Sequence, residues 1–415
     1  MIALIRNRDY YGLSLSLLII ISTIAQKYTA LAIALFVIVF IIDLIVSKKY
    51  SFAGTWPHFL FMGLFLFYAA GLLWSEHVDI GIKLLEYKMS FFIFPLLFLM
   101  RKKGIDFWQI IPSFIIANFF LTVALSVYSL VNKVSVDVAS MELFNIHPTY
   151  SSTYILIAGF ILIIGYRQKG LSISKTSLFI VIGYWLIIVI LLISFANILF
   201  LMCAVFVVIA VLLFQKKGPL IGWSFLILSP FCGYLILNNT PFLDYDVRTA
   251  KDTISEFYNE PQDFLCDNLH TDAGTKLRPI LWILSVEIIQ RYPFGVGLGD
   301  IDYHIEDRAS FYGVTHLEDH ALNPHNQFLQ IAIDIGLPGM YYLIILLLLI
   351  AGIAIRRKDY ILLFVVSNLI FNSLFESMLQ RQSGIVFYTL IICICLTYSA
   401  TSKFNSKKKL IDGEE

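Results

Sequence analysis

The sequence is poor in charged residues, and this shortage sets its class. Asp, Glu, Lys and Arg make up 14% of the 415 residues, whereas soluble globular domains carry about 25%. Hydrophobic residues make up 59%, and the mean hydropathy is +0.80. The apolar residues form continuous runs of about 17–25 residues, a pattern typical of membrane helices rather than of alternating barrel strands. The sequence therefore predicts an all-α polytopic membrane protein.

Several other signals are also absent. The five cysteines are scattered, so neither a disulfide framework nor a zinc-binding spacing is expected. The first apolar run, residues 12–25, lacks a small-residue cleavage site, so no cleavable signal peptide is expected. The net charge of +1 says little, but residues 244–319 of the outer loop are acidic, and nucleic acid, which would need the opposite sign, is therefore not an expected partner. No internal repeat is evident, and no cofactor or metal is expected.

The basic residues are distributed unevenly between the connecting segments, and this predicts the topology. One set of short loops and tails contains 19 of the 30 Lys and Arg residues, and the positive-inside rule makes those segments, including both termini, cytoplasmic. About twelve apolar spans are expected. They lie near residues 12–25, 28–46, 56–73, 88–100, 107–131, 150–166, 177–193, 196–214, 219–237, 337–355, 360–375 and 383–401.

These spans divide the chain into three parts. Residues 1–237 are expected to form an N-terminal membrane region of about nine helices, and residues 337–415 a C-terminal region of about three helices with a cytoplasmic tail. Residues 238–336 form one large outward loop before the tenth helix. From residue 244 to 319 the loop has 15 acidic and 6 basic residues, a balance of −9. A solvated surface is the leading interpretation of this acidic balance.

Two stretches of the outer loop have residue patterns that are typical of a ligand-binding or catalytic site. In the first, Pro279 fits the first position of a helix, which would put Arg278 at the helix N-terminus. A guanidinium beside free backbone N–H groups suits a phosphate. The helix is followed by Arg291 and a glycine-rich turn, in which the glycines permit a tight bend and close approach of a ligand; they are Gly295, Gly297 and Gly299. An ordinary interfacial helix and turn would give the same pattern.

The second stretch is "NPHNQFLQIAIDIGLPG", residues 323–339. We interpret Asn323 as an N-cap and Pro324 as the first residue of an amphipathic interfacial helix. His325 would then lie in the first turn, where the helix dipole disfavours the imidazolium, and a neutral ring can accept a proton. Gly336 and Gly339 would allow a bend into the following span. A capping histidine without chemistry is the alternative.

Further polar residues stand at other outward ends. Lys83 and Lys88 flank the start of a span together with Glu86, and outward cations run against the positive-inside trend. His147 and Tyr150 lie at a second outer end. Glu376 and Arg381 lie at the last outer turn. The stretch "HLEDH" at residues 316–320 lacks the HExxH order, so it is not interpreted as a metal site.

The stretch that begins at His325 resembles the histidine motif of the O-antigen ligase and polymerase superfamily. That motif is His, then Asn, Ser or Gln, nine residues, Gly, two residues and a small residue; His325, Asn326, Gly336 and Gly339 match it. The resemblance implies a metal-independent, inverting glycosyltransferase of the GT-C type in the bacterial inner membrane, with a periplasmic active site. The implied donor is a glycan on undecaprenyl diphosphate. His325 would be the base and Arg278 would hold the diphosphate.

The resemblance does not identify the acceptor, nor the residue that supplies the second cation for the diphosphate. A ligase would use the lipid A core, a polymerase another lipid-linked repeat, and a protein O-oligosaccharyltransferase a protein hydroxyl; ligation is the leading expectation. Family members commonly have a Ser-Arg pair that also serves the diphosphate, whereas here Ser194 is followed by Phe195. Lys88, Arg381 and Arg291 are the candidate replacements. Asn326, His147 and Tyr150 are candidates for substrate contacts.

A transporter of lipid-linked glycans is the alternative from another class. Transporters place ionisable residues in the middle of their spans. The apolar runs of this sequence are almost free of such residues, which favours chemistry at the membrane surface.

Overall fold

A computed structural model describes residues 9–47, 56–100, 107–168, 171–226, 274–312 and 323–411, with a few isolated positions between 227 and 273. The described residues form helices and no strand. The helices are α1 (Tyr10–Ile24), α2 (Thr29–Ser47), α3 (Pro57–Gly71), α4 (Val78–Lys88), α5 (Ser90–Leu99), α6 (Phe107–Asn132), α7 (Val136–Phe144), α8 (Pro148–Arg167), α9 (Lys175–Leu191), α10 (Phe195–Lys217), α11 (Gly274–Arg291), α12 (Ile301–Phe311), α13 (Gln327–Arg357), α14 (Tyr360–Asn372) and α15 (Gln382–Ile411).

Six of the described helices are long and apolar enough to cross a membrane, and four shorter apolar helices accompany them. The chain is therefore a multi-pass helical membrane protein, as predicted, while the count of twelve spans stays a prediction. The run at 88–100 is divided between α4 and α5. The run at 219–237 is helical up to residue 226, and the rest lies outside the described residues.

Arg357 and the described outer-loop helices lie at opposite ends of the bundle. At one end, Arg357 at the end of α13 donates a hydrogen bond to the carbonyl oxygen of Leu396 in α15, 3.2 Å away. At the other end, Leu298, which follows α11, donates its N–H to the carbonyl oxygen of Gly71 at the end of α3. The orientation of the two ends across the membrane stays a prediction.

The described outer-loop helices form a small core of their own. Helices α11 and α12 bury Ile280, Leu284 and Ile305 together with Ile333 from the start of α13. The polar side of the first turns of α13 is buried as well, since Gln330 and Asp334 are fully buried and Asp334 lies near Lys88 of α4. The segment therefore has no exposed polar face, and its predicted place at the membrane interface stays a prediction.

Helix α13 has the expected bend. Ile335 and Gly336 depart from helical geometry, and Gly336 has a φ of +82°. A Cβ atom at Gly336 would lie 2.4 Å from the backbone of Phe294. Only glycine combines this left-handed conformation with such a close backbone contact. The bend thus fixes the buried start of α13 against the turn that follows α11.

Candidate functional site

The histidine of the motif lies just before α13 rather than inside it. The helix begins at Gln327, and Asn326 is the N-cap, because its side-chain oxygen accepts the N–H groups of Phe328 and Leu329 at 2.9 and 3.1 Å. The prediction that Asn323 caps a helix starting at Pro324 is therefore wrong. The structural reason is that Asn323 instead accepts the backbone N–H of His325 at 2.9 Å, which closes a side-chain turn.

The backbone of His325 adopts a left-handed conformation with a φ of +47°. Non-glycine residues adopt this region infrequently, at a cost of about 1–3 kcal/mol, and the surrounding contacts must hold it. Trp282 of α11 supplies one such contact by donating its indole N–H to the carbonyl oxygen of Pro324, 2.9 Å away. The left-handed turn directs the imidazole towards the loop between α14 and α15.

One carboxylate connects the two residues predicted to carry the chemistry. Glu376 accepts a hydrogen bond from Nη2 of Arg278 at 3.1 Å, and its other oxygen lies 3.0 Å from Nδ1 of His325. Arg278, His325 and Glu376 are 38%, 29% and 18% exposed, so all three are reachable from outside. Arg278 and His325 therefore meet in one crevice. The sequence placed Glu376 at an outer turn without giving it this role.

Arg278 reaches the crevice from within a helix. Helix α11 begins at Gly274 and contains Pro279, so the prediction that Arg278 stands at a helix N-terminus is wrong. Pro279 is the sixth residue of this helix, past the four unpaired N–H groups at its start, so its ring removes one intrahelical hydrogen bond. The anion-binding capacity of this position therefore comes from the guanidinium itself.

Three more predicted residues line a small cavity beside the crevice. His147, Tyr150 and Arg381 share its wall with His325 and Glu376. The cavity measures about 40 Å³, which is room for a few water molecules but not for a large anion. The side chain of Arg381 is exposed and has no ion pair within the described part of the chain. It is therefore the second cation that the structure brings to His325.

The charges around Glu376 are mostly positive, and this determines its protonation. Burial alone would raise the pKa of Glu376, but the hydrogen bond from His325 and the nearby His325, Arg278 and His147 lower it below its usual value. The carboxylate is thus ionised at neutral pH. Burial lowers the pKa of His147, so that ring is neutral. One anion faces two guanidinium groups, which leaves a net positive site.

Lys88 has a structural role and does not line the cavity. It is completely buried, and its ammonium donates to the carbonyl oxygen of Leu379 and to the side-chain oxygen of Gln380, both at 2.7 Å. Gln327 accepts the N–H of Leu379 from the other side at 2.5 Å. These bonds hold the loop that carries Glu376 and Arg381. We therefore leave Lys88 out of the proposed diphosphate contacts.

Arg291 and the glycine turn are also remote from the cavity. Arg291 is the last residue of α11, thirteen residues after Arg278 and hence about 20 Å further along the helix. The three glycines of the turn have positive φ angles. Added Cβ atoms would lie 2.5–2.7 Å from backbone atoms of Gly336, Ser75 and Gly81. The close approach is thus to the protein's own backbone and not to a ligand.

Beneath the cavity lies a buried polar cluster that the sequence did not reveal. The amide of Asn197 donates to the carbonyl oxygen of Thr149 at 2.9 Å, and its oxygen accepts from Asn368 and Asn372 at 3.2 and 3.1 Å. These bonds tie α10 and α14 to the start of α8, where the cavity begins. Phe195, at the position of the family arginine, is 68% exposed on the outside of α10.

Residues 180–344 match the family model described as O-antigen ligase. This segment of the chain is similar to the O-antigen ligase family. The resemblance predicted from the histidine motif is therefore confirmed over this segment, which includes Arg278, His325 and both motif glycines. His147, Glu376 and Arg381 lie outside the matched segment, so residues that flank it complete the candidate site. No curated protein matches the chain significantly.

The other site predictions remain untested by the comparisons. The stretch at residues 316–320 lies outside the described residues, as do Cys232 and Cys266. The membrane location and the family agree with a lipid-linked glycan and an acceptor as substrates.

Proposed function

We propose that this protein transfers a glycan from undecaprenyl diphosphate to an acceptor hydroxyl at the periplasmic face of the inner membrane, with O-antigen ligation to the lipid A core as the leading reaction. The observation that carries the proposal is the shared contact of Arg278 and His325 with Glu376. A proton acceptor and a fixed cation thereby face the same crevice, next to Arg381. These are the groups that displacement of a diphosphate by a hydroxyl requires.

The proposed step uses each group at a defined atom. A carboxylate can only accept, so the proton of neutral His325 resides on Nδ1 and leaves Nε2 free to take the proton of the acceptor hydroxyl. The hydroxyl oxygen then bonds to the anomeric carbon, and the bond from that carbon to the diphosphate oxygen breaks. The diphosphate leaves with the electron pair, and Arg278 and Arg381 stabilise its charge. Attack opposite the leaving group inverts the configuration.

The test of these roles compares substitutions of arginines at the crevice with the substitution of an arginine far from it. We expect His325→Ala to lower transfer by about 10²–10⁴-fold and Arg278→Ala or Arg381→Ala by about 10²–10³-fold. Arg291→Ala, at the far end of the same helix as Arg278, should retain transfer. Purified variants in proteoliposomes with a lipid-linked glycan and a lipid A core acceptor provide the measurement. Normal transfer by the His325 and Arg278 variants would refute the assignments.

Deletion of the gene distinguishes the acceptors. Loss of long chains from lipid A with accumulation of lipid-linked polymer indicates a ligase. Capping with one repeat indicates a polymerase, and unchanged lipopolysaccharide with lost glycoproteins indicates a protein O-oligosaccharyltransferase. Unchanged glycan attachment with lipid-linked glycan retained on the cytoplasmic face would instead favour a transporter.

A further inference from the structure

Glu376 occupies the position where a substrate phosphate is expected. Its two oxygens engage the predicted phosphate ligand and the predicted base at the same time, at 3.1 and 3.0 Å. A carboxylate and a phosphate present similar oxygens to a guanidinium. Arg278 is 38% exposed, so a phosphate can approach it from outside. A phosphate oxygen that takes the place of Glu376 on Nη2 of Arg278 must displace the present contact.

We propose that Glu376 is a positioning residue that couples arrival of the diphosphate to activation of His325. This inference rests on the proposed function. Before the donor binds, the carboxylate divides its charge between Arg278 and His325. When a diphosphate takes over Arg278, Glu376 interacts with His325 alone. The undivided carboxylate then orients the Nδ1–H tautomer and stabilises the imidazolium that forms as the acceptor hydroxyl loses its proton.

The surroundings of Glu376 permit such an exchange. Its side chain is 18% exposed and lies in a loop between two helices, and that loop is also anchored through Leu379, Gln380 and Ser373. The charged or titratable groups that face it are Arg278 from α11, His325 before α13, His147 before α8, Tyr150 of α8 and Arg381 of its own loop. Each of these groups is cationic or neutral, so no second described carboxylate replaces Glu376.

The consequence of this arrangement is that His325 becomes fully effective as a base once the diphosphate leaving group is bound. A carboxylate bound to the far nitrogen of a catalytic histidine fixes the tautomer and stabilises the charged ring, and its loss in serine proteases lowers turnover by about 10⁴-fold. Here the same carboxylate is partly neutralised by Arg278 until an anion competes for that arginine. Acceptor activation without a bound donor is thereby suppressed.

The first test measures binding alone and uses inorganic pyrophosphate as the probe. Full-length wild-type protein, Glu376→Gln, Glu376→Asp and Arg278→Ala are compared by calorimetry in detergent. We expect Glu376→Gln to bind pyrophosphate about 3–10-fold more tightly, because the amide no longer competes as an anion for Arg278. Arg278→Ala should bind more weakly than wild type. Equal or weaker binding by a folded Glu376→Gln variant would overturn the proposal.

The second test measures transfer in proteoliposomes. We expect Glu376→Gln to lower kcat about 10–100-fold while KM for the donor falls or stays constant, and Glu376→Asp to restore part of kcat. The acid limb of the kcat profile should also move to lower pH in Glu376→Gln, because the anion that stabilises the protonated ring is lost. A residue needed only for folding would not produce this separation of kcat from KM.

The outcomes separate the two proposals. If wild-type protein transfers glycan and Glu376→Gln has the wild-type kcat and pH profile, the coupling fails and the glycosyltransferase assignment stands. If wild-type protein transfers no lipid-linked glycan but Glu376→Gln binds pyrophosphate more tightly, the proposed function fails and the competition of Glu376 for Arg278 stands. If neither result is obtained, both fail.

Discussion

At the scale of single residues, the few polar groups of an apolar chain determine where the chemistry lies. Lys88 is an example of a residue that the sequence singled out and to which the structure gives a different role. Its outward position suggested an anionic partner, whereas the structure buries it completely against Tyr68, with the ammonium 4.8 Å from the ring centre. Its hydrogen bonds hold the loop that carries Glu376 and Arg381. The residue therefore supports the site without reaching the cavity.

Replacing Lys88 should weaken this loop. We expect Lys88→Met to destabilise the protein by about 1–3 kcal/mol for each polar group left without a partner, and to lower transfer through displacement of Glu376. Lys83→Met is the matched control, because Lys83 lies exposed on the same helix. Thermal unfolding and transfer by both purified variants provide the measurement. Equal effects of the two substitutions would contradict the assigned role.

At the scale of elements, two glycine-containing segments depend on each other. The bend of α13 at Gly336 lies against the turn at residues 293–299, and the N–H of Val296 donates to the carbonyl oxygen of Ile333 at 2.8 Å. The same turn is held on its other side by Asp300, which accepts the backbone N–H groups of Glu76 and His77 at 2.8 and 2.9 Å. This docking positions both Arg278 and His325 relative to the membrane helices.

Two glycines of the same helix should therefore respond differently to alanine. Gly336→Ala requires a left-handed conformation and introduces a Cβ atom 2.4 Å from the Phe294 backbone. We expect a loss of several kcal/mol, or failure to fold, because alanine strongly disfavours this geometry. Gly352→Ala meets no atom within 4 Å and should be neutral or slightly stabilising. Thermal melting in detergent distinguishes the two, and similar melting temperatures would contradict the described bend.

At the scale of the whole molecule, the candidate site and the described basic helix ends lie at opposite ends of the helical bundle. Arg167 and Arg357 end helices whose other ends carry His147 and the motif histidine. The positive-inside rule then predicts that the site faces the periplasm. A lipid-linked donor could enter laterally from the bilayer while a soluble headgroup approaches from outside.

Labelling of single cysteines tests this orientation. In a background with all five cysteines replaced by alanine, Asn132→Cys marks the site end and Gln168→Cys the basic end; both positions are exposed at helix ends. We expect a membrane-impermeant maleimide added to spheroplasts to label position 132 directly, and position 168 only after permeabilisation. The reverse pattern would overturn the predicted topology.

The sequence by itself determined the class of the protein and predicted Arg278 and His325 as residues of one site. Long apolar runs require helices, because a backbone in lipid must satisfy its hydrogen bonds within the segment, and the motif spacing marked His325 and the two glycines. Only the tertiary structure decided how the site is completed. Glu376 lies 51 residues from His325 and 98 from Arg278 in the chain, and contacts at such distances leave no periodic signal. The buried Lys88 and the true start of α13 were likewise set by packing, because neighbouring elements determine which polar groups are enclosed.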